Sequence, residues 1–431
     1  MVPGGARVRA VLRGTYPYPT HARGALIAAM DADCGVSGMT VALCHTGAPT
    51  VVGPDSELSG VMRILITGGA GFIGSHLADH LLQRGHHVRV LDSLVPQVHP
   101  TQQRPDYLHR DVELVRGDAR DAVAVRRSLS GMDAVVHFAA RVGVGQSMYE
   151  IAEYVDTNAR GTAVLLEELI DHRVARLVVA SSMSLYGEGL YHTAAGEVVE
   201  NAERTPEQLR RAEWEPQTAD GAALMPVPTP EWKPPRLASV YALTKFDQER
   251  LALLFGQTYN VPTAALRFFN VYGTRQALSN PYTGVLAIFA ARLLNRKPPV
   301  IFEDGLQRRD FVSVRDVVQA CRLALEQPPD RVAGRAFNVG SGTSYAVAEV
   351  GRVLAEALGV DVAPELTGQY RVGDIRHCFA DLTCARKQLG YAPQVALADG
   401  LIELTEWLAT QRAEDLIPTA RLELERRGLT V

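Results

Sequence analysis

The chain lacks any run approaching the ~20 apolar residues that a bilayer-spanning helix requires, so no membrane partner is expected. It also lacks an excess of basic charge. Its 44 Lys and Arg stand against 48 Asp and Glu, a net charge of -4, so no positive field is available to hold nucleic acid. Cysteine is sparse: Cys34, Cys44, Cys321, Cys378 and Cys384 are scattered, odd in number and without Cys-x-x-Cys spacing. That argues against a disulfide framework and against a zinc or redox centre, and it suits free thiols in a reducing cytoplasm. No metal site is expected.

What is present falls into distinct textures. Residues 1–61 are rich in Gly, Ala, Pro and Thr and show no sustained period. They are expected to be a disordered extension, an over-long reading whose true start is Met62, or a small regulatory or oligomerising segment; a secretory leader fits poorly. From Arg63 short apolar runs alternate with amphipathic stretches. "RILITGG", "HVRVLD", "DAVVHFAA", "RLVVASS" and "VPTAALRFFN" read as strands buried on both faces, with helical crossovers between them. This predicts an α/β fold with a doubly wound parallel sheet over 62–279. A proline-rich, charged stretch at about 187–235 reads as a surface insertion with extended segments. Residues 280–408 read mainly as a smaller C-terminal lobe, with helices around Val285 to Leu294 and Ala346 to Leu358 and some chain crossing back to the sheet. Residues 409–431 form a tail.

The first strand runs into Thr67-Gly68-Gly69-Ala70-Gly71-Phe72-Ile73-Gly74, then a helix. Gly68 permits the tight turn, Gly71 lets backbone approach a pyrophosphate, and Gly74 allows helix to pack on strand, while the helix N-terminus attracts phosphate. Asp92 ends the next strand, 18 residues past Gly74, where a carboxylate accepts from ribose hydroxyls and repels a 2′-phosphate. That favours NAD over NADP. Asp118, in "RGDARD" after a third strand, is placed to meet the adenine edge.

Tyr241 and Lys245 in "VYALTK" stand at i, i+4, on one face of one helix. A tyrosine near pKa ~10 is a weak base at neutral pH, and a neighbouring ammonium or a bound pyridinium favours its phenolate. Lys245 is thus the expected activator. Ser182 and Ser184 follow the strand "RLVVA", which puts hydroxyls at a strand's carboxyl end, the ligand-binding edge of such sheets.

These motifs, in this order, resemble the extended short-chain dehydrogenase/reductase family of nucleotide-sugar epimerases and dehydratases from Met62 to about Leu408. The resemblance implies a Rossmann-like domain carrying NAD and a C-terminal lobe holding a nucleotide-diphosphate sugar, dTDP- or UDP-linked. It implies a pyrophosphate site at Gly68, Gly71, Phe72, Ile73 and Gly74, and adenine and nicotinamide contacts at Asp118, Ala119, Phe138, Ala139 and Ala140. A structural asparagine beside the cofactor is implied at Asn158. Ser182, Tyr241 and Lys245 match the catalytic set, and Ser184 matches a substrate-facing hydroxyl. Arg141 stands where the epimerases often carry a cofactor-facing lysine, a departure from the pattern. Asn270, Arg309, Arg371 and Asp374 match the ligands of the sugar diphosphate and ribose, with Arg308 and Arg376 as adjacent candidates. A homodimer through paired helices is also implied.

Reaction type turns on two positions. The family's 4,6-dehydratases carry an acid and a base, typically Asp-Glu, after the catalytic hydroxyl, and its decarboxylases carry a glutamate two residues after it. Met183 and Ser184 stand there instead, which favours epimerisation. The insertion and the run from Phe269 to Val312 are similar to bacterial dTDP-L-rhamnose 4-epimerases. UDP-glucose 4-epimerases and 4-ketoreductases of deoxysugars are the alternatives, with a non-catalytic NAD sensor as a reading of another class.

Overall fold

The computed structural model describes residues 60–371 and 373–430, so the expectation for 1–61 lies, apart from its last two positions, outside the described residues. Seven short strands form one sheet: β1 (Arg63–Thr67), β2 (His87–Asp92), β3 (Glu113–Arg116), β4 (Ala134–His137), β5 (Arg176–Ser182), β6 (Thr263–Phe268) and β7 (Arg335–Val339). Their order is β7-β6-β5-β4-β1-β2-β3, and every neighbouring pair is parallel. The order reverses between β1 and β4, which opens a crevice at their carboxyl ends.

Strand periodicity explains why the runs are apolar throughout. Ile64, Ile66, Val136 and Val178 point into one core, with Leu77 and Leu81 of helix α1 (Phe72–Gln83). Leu65, Val135, Leu177 and Val179 point into another, with Val125 of α2 (Ala122–Leu129), Leu165 of α3 (Gly161–Asp171) and Leu253 of α4 (Val240–Tyr259). Helix α5 (Val314–Glu326) adds Val317 and Cys321 to the first core. Helices on both faces leave neither side of the sheet in water, the doubly wound Rossmann-like arrangement.

A smaller lobe has its own core, built from Phe289 and Leu293 of helix Val285–Leu294, Val350 and Leu354 of helix Val347–Ala357, and Leu401 of helix Leu397–Leu408. Its strand Arg308–Ser313 pairs with Asn270–Tyr272, Ser344–Ala346 and His377–Cys378, then runs directly into α5 and back to the sheet through β7.

The insertion differs from its expected character. Strand Leu190–His192 pairs antiparallel with Val198–Val199 and Met225–Val227, and Leu190, Tyr191, Thr229 and Lys233 are buried. Charge holds it down. Arg204 pairs with Glu303 at 2.7 Å and Glu188 at 3.3 Å, while Arg376 pairs with Glu303 at 3.0 Å and with Asp304 and Glu215. Side chains of insertion and C-terminal lobe thus neutralise one another out of water, which such charges require. Cys321 and Cys378 are buried free thiols; Cys34 and Cys44 lie outside the described residues. No helix among the described residues is long and apolar enough to cross a membrane.

Candidate active site

The carboxyl ends of β1, β4 and β5 and the start of α4 converge. At β1 the chain turns through Gly68 at φ +67°, and a Cβ there would meet the Ala139 backbone nitrogen at 2.8 Å. A Cβ on Gly74 would lie 2.5 Å from the Gly69 Cα. The turn therefore packs backbone on backbone, and α1 begins at Phe72 with Gly71 as its N-cap and no side chain capping its amides. Such an uncapped N-terminus suits an anionic pyrophosphate. Ile73 is half-buried in the following turn.

Asp92 leaves β2 and reaches back to this turn. One of its oxygens accepts the Ala70 amide at 3.0 Å and the other the Leu94 amide at 2.9 Å. The carboxylate is nearly buried, and its remaining lone pairs lie at the edge of the glycine turn. Asp118 is held differently. Its carboxylate takes a bidentate pair from Arg120, at 2.8 and 3.0 Å, and that pairing holds it below the ordinary carboxylate range. Ala119 is buried beside Gly161 at the start of α3.

Beyond β4, Phe138 stands edge-on to Phe268 of β6, and Ala139 donates its amide to the Thr67 hydroxyl at 3.2 Å. Ala140 is half-buried next to it. Asn158 accepts the Arg141 amide at 2.7 Å and donates to the Arg141 carbonyl at 3.1 Å and the Thr244 hydroxyl at 3.0 Å. It sits in a π-helical turn, Val155–Arg160, and ties the β4 loop to α4. The Arg141 side chain turns to Glu150 at 2.7 Å and Glu153 at 3.3 Å, so its charge is spent on the protein.

Ser182 ends β5, caps the short helical turn Met183–Tyr186, and lies 2.9 Å from the Ser184 hydroxyl. It also hydrogen-bonds Tyr241. Ser239 caps α4 by accepting the Ala242 amide, and Ser147 accepts the Tyr241 amide at 3.0 Å, so the tyrosine backbone is clamped at the helix start. Burial raises the Tyr241 phenol above its ordinary value, and the Ser182 hydroxyl opposes this. Lys245 is buried deeper and donates to the Gln248 side-chain carbonyl at 2.7 Å. Desolvation lowers it to about 7, with Glu249 pulling upward. In the protein alone the serine eases ionisation of the tyrosine, and burial disfavours the charge of the lysine.

Around them lies a polar set that sequence reasoning passed over: Thr67, His137, Thr162, Gln248 and Glu249. Glu249 could have been found by spacing, four residues after Lys245 on the same helix face. It accepts from Ser181 at 2.6 Å and pairs with Arg267 at 2.6 Å. His137 lies between the Thr67 and Thr162 hydroxyls at 2.7 and 2.9 Å, and burial, with the Lys245 charge nearby, lowers it to about 3.

The remaining candidates line the smaller lobe. Asn270 pairs with Phe311 in the lobe's sheet, and its side-chain oxygen is buried with no hydrogen-bond partner in the protein. Arg309 donates to the backbone carbonyls of Arg308 at 3.0 Å, Arg376 at 2.8 Å and Ile375. It thereby anchors the segment that carries Arg371 and Asp374, which pair with each other at 2.8 Å. Arg371 also lies over the Phe302 ring, 4.7 Å from its centre. Arg376 is consumed by the ion network of the insertion, and Arg308 donates to Ser344 at 3.2 Å.

Residues 64–210 and 219–340 match the family model described as the NAD dependent epimerase/dehydratase family. The chain belongs to this family. As such an epimerase/dehydratase it is an enzyme, and NAD is its cofactor; the glycine turn, where two Cβ atoms would collide with backbone, fits that group. The chain is 35% identical over 353 residues to the dTDP-L-rhamnose 4-epimerase of Burkholderia thailandensis, covering 81% of this chain and 95% of that protein. Among solved structures it is similar to the UDP-glucose 4-epimerase of Thermotoga maritima with UDP-glucose (TM-score 0.66, 31% identity, 81% of this chain and 99% of that one). It is likewise similar to the Thermus thermophilus UDP-glucose 4-epimerase in complex with NAD (TM-score 0.64, 31% identity, the same coverage).

Proposed function

We propose that this epimerase/dehydratase is a nucleotide-sugar 4-epimerase interconverting dTDP-L-rhamnose and dTDP-6-deoxy-L-talose. The observation that carries epimerisation is the composition of the turn after β5. Ser182 reaches Tyr241 and Ser184, while Met183, where a dehydratase would place an acid, is packed into the apolar core. A proton can be exchanged at the sugar's 4-oxygen, and no carboxyl group follows Ser182 to remove water across C5 and C6. The choice of sugar is supported by the 35% identity to a dTDP-L-rhamnose 4-epimerase.

Tyr241 takes the proton from the C4 hydroxyl, Ser182 holds that oxygen, and the resulting 4-keto sugar turns and regains its proton from the same phenol. Bound NAD would supply the acceptor for the C4 hydride, the source of that hydride when the turned 4-keto carbon takes it back on its other face, and a cationic ring. Gly68, Gly71 and Gly74 would hold its pyrophosphate, Asp92 its ribose, Asp118 and Ala119 its adenine end, and Phe138, Ala139 and Lys245 its nicotinamide end. Asn270, with its unpaired buried oxygen, and Arg309, Arg371 and Asp374 would hold the nucleotide diphosphate. Two copies would pair through Ile151, Val155, Leu243, Leu251 and Leu254, apolar side chains left exposed on neighbouring helices.

The test begins with cofactor released by denaturation and read by absorbance, followed by incubation with dTDP-L-rhamnose and with UDP-glucose under proton NMR. A C4 epimer of dTDP-L-rhamnose is expected. Conversion of UDP-glucose alone would transfer the assignment to the second reading, which the Thermotoga maritima likeness favours. Turnover only with added reduced cofactor would mark a ketoreductase, and tight NAD without any turnover a sensor.

A further inference from the structure

Gln248 lies at the bottom of the site, fully buried, three residues beyond Lys245 on α4. Its side-chain oxygen accepts from the Lys245 amine at 2.7 Å. Its side-chain nitrogen lies 2.8 Å from the Thr162 hydroxyl, 3.3 Å from the Ala139 carbonyl and 3.2 Å from His137 Nε2. The direction of this amide is determined by its neighbours. Thr162 donates its only proton to the Asn158 carbonyl at 2.6 Å, so toward Gln248 it can only accept. The Ala139 carbonyl also only accepts. A flipped amide would face two acceptors with an oxygen and the lysine with a donor. Only one orientation satisfies the contacts to Lys245, Thr162 and Ala139 together.

His137 joins the same network: its Nε2 lies 2.9 Å from the Thr162 hydroxyl and 3.2 Å from the Gln248 side-chain nitrogen, and its Nδ1 lies 2.7 Å from the Thr67 hydroxyl. Burial holds the ring neutral, and the acceptor hydrogen-bonded to Lys245 is the Gln248 carbonyl.

We propose that Gln248 is a positioning residue for Lys245: a glutamine locked in one orientation by Thr162 and Ala139, which aims the amine and sets how readily it carries a proton. This rests on the reading of Lys245 as the cofactor-facing partner of Tyr241. It joins two parts of the site, because the Ala139 carbonyl that holds Gln248 belongs to the residue whose amide is held by Thr67. The ionisable groups that act on Lys245 are Glu249 from its own helix and His137 from β4, with Arg267 from β6 behind Glu249. Gln248 is the neutral group among them, and its replacement by glutamate changes charge with little change in shape.

The chain has four lysines, Lys233, Lys245, Lys297 and Lys387, so protein labelled with 13C at the lysine ε-carbons gives four titrating signals. Loss of one signal in Lys245→Arg assigns it. In the NAD-loaded protein, Gln248→Glu is expected to raise the Lys245 midpoint by about one pH unit or more, and Gln248→Met to lower it. With a turned-over nucleotide sugar, Gln248→Met should reduce kcat on the order of tenfold while KM changes less than about twofold, and the alkaline limb of the pH profile should move the same way as the titration. An unchanged Lys245 midpoint in both variants would overturn the proposal. If Gln248→Met does not fold, Gln248→Glu decides alone. The titration needs no substrate, so its outcome is separate from whether the sugar assignment holds.

Discussion

The hydroxyl of Tyr241, at the start of α4, hydrogen-bonds the hydroxyl of Ser182, at the end of β5. Helix and strand thus meet at the atom that, in the proposed reaction, loses and regains a proton. Tyr241→Phe keeps the ring and its packing but removes that atom. Turnover should fall by about 10² to 10⁴. Bound NAD, measured by absorbance after denaturation, should remain at the wild-type level; its loss would contradict the separate roles of Tyr241 and the glycine turn.

Arg309 spends several of its donors on the carbonyls of residues 308, 375 and 376. Removing the guanidinium in Arg309→Met frees the segment carrying Arg371 and Asp374. The KM for the nucleotide sugar should rise roughly tenfold or more, as expected when charged hydrogen bonds are lost. Retained NAD would locate the defect on the substrate side, and an unchanged KM would refute it.

Glu249 is buried against Arg267 and Ser181. Arg267→Met would leave that carboxylate without its cation, a loss of about 3 to 5 kcal/mol in urea unfolding. The double variant Arg267→Met with Glu249→Met should recover a good part of it, because neither charge is then stranded. A single variant as stable as the parent would show that the pair matters little to the fold.

His137 offers a pH test with a definite sign. Folded, it stays neutral down to about 3; unfolded, it takes a proton near 6.5. Acid therefore favours the unfolded chain, and stability is lost as pH falls from 6.5 toward 3. Relative to His137→Gln, which cannot titrate, the parent should lose about 2 to 3 kcal/mol on going from neutral to about pH 4.5. Parallel stability curves for the two proteins would argue that the ring is not held neutral.

Much of the fold was legible because the central strands are short apolar runs between helical patterns. The helices of the smaller lobe run from Val285 to Leu294 and from Val347 to Ala357, within a residue of where periodicity puts them. The insertion was read less well. Glu188 and Arg204 look like surface charges, and only Glu303 and the backbone amides of Arg376 and His377, far along the chain, hold them out of water. No local pattern carries that information. In the site, Ser182, Tyr241 and Lys245 could be picked out by strand end and helical spacing. Arg309 could be picked out as an arginine but not as an anchor of backbone, because carbonyl partners leave no trace in sequence. Gln248 was invisible for a simpler reason: a glutamine on a long helix ordinarily faces solvent.

The ion network of the insertion bears on any attempt to redesign the enzyme by exchange of parts. Residues 187–235 look like a cassette that could be moved between relatives, yet Arg204 is answered by Glu303, and Glu215 by Arg376, in another lobe. A graft that brings in one half without the other strands buried charges, so chimeras cut at the ends of the insertion should misfold unless positions 303, 304 and 376 travel with it.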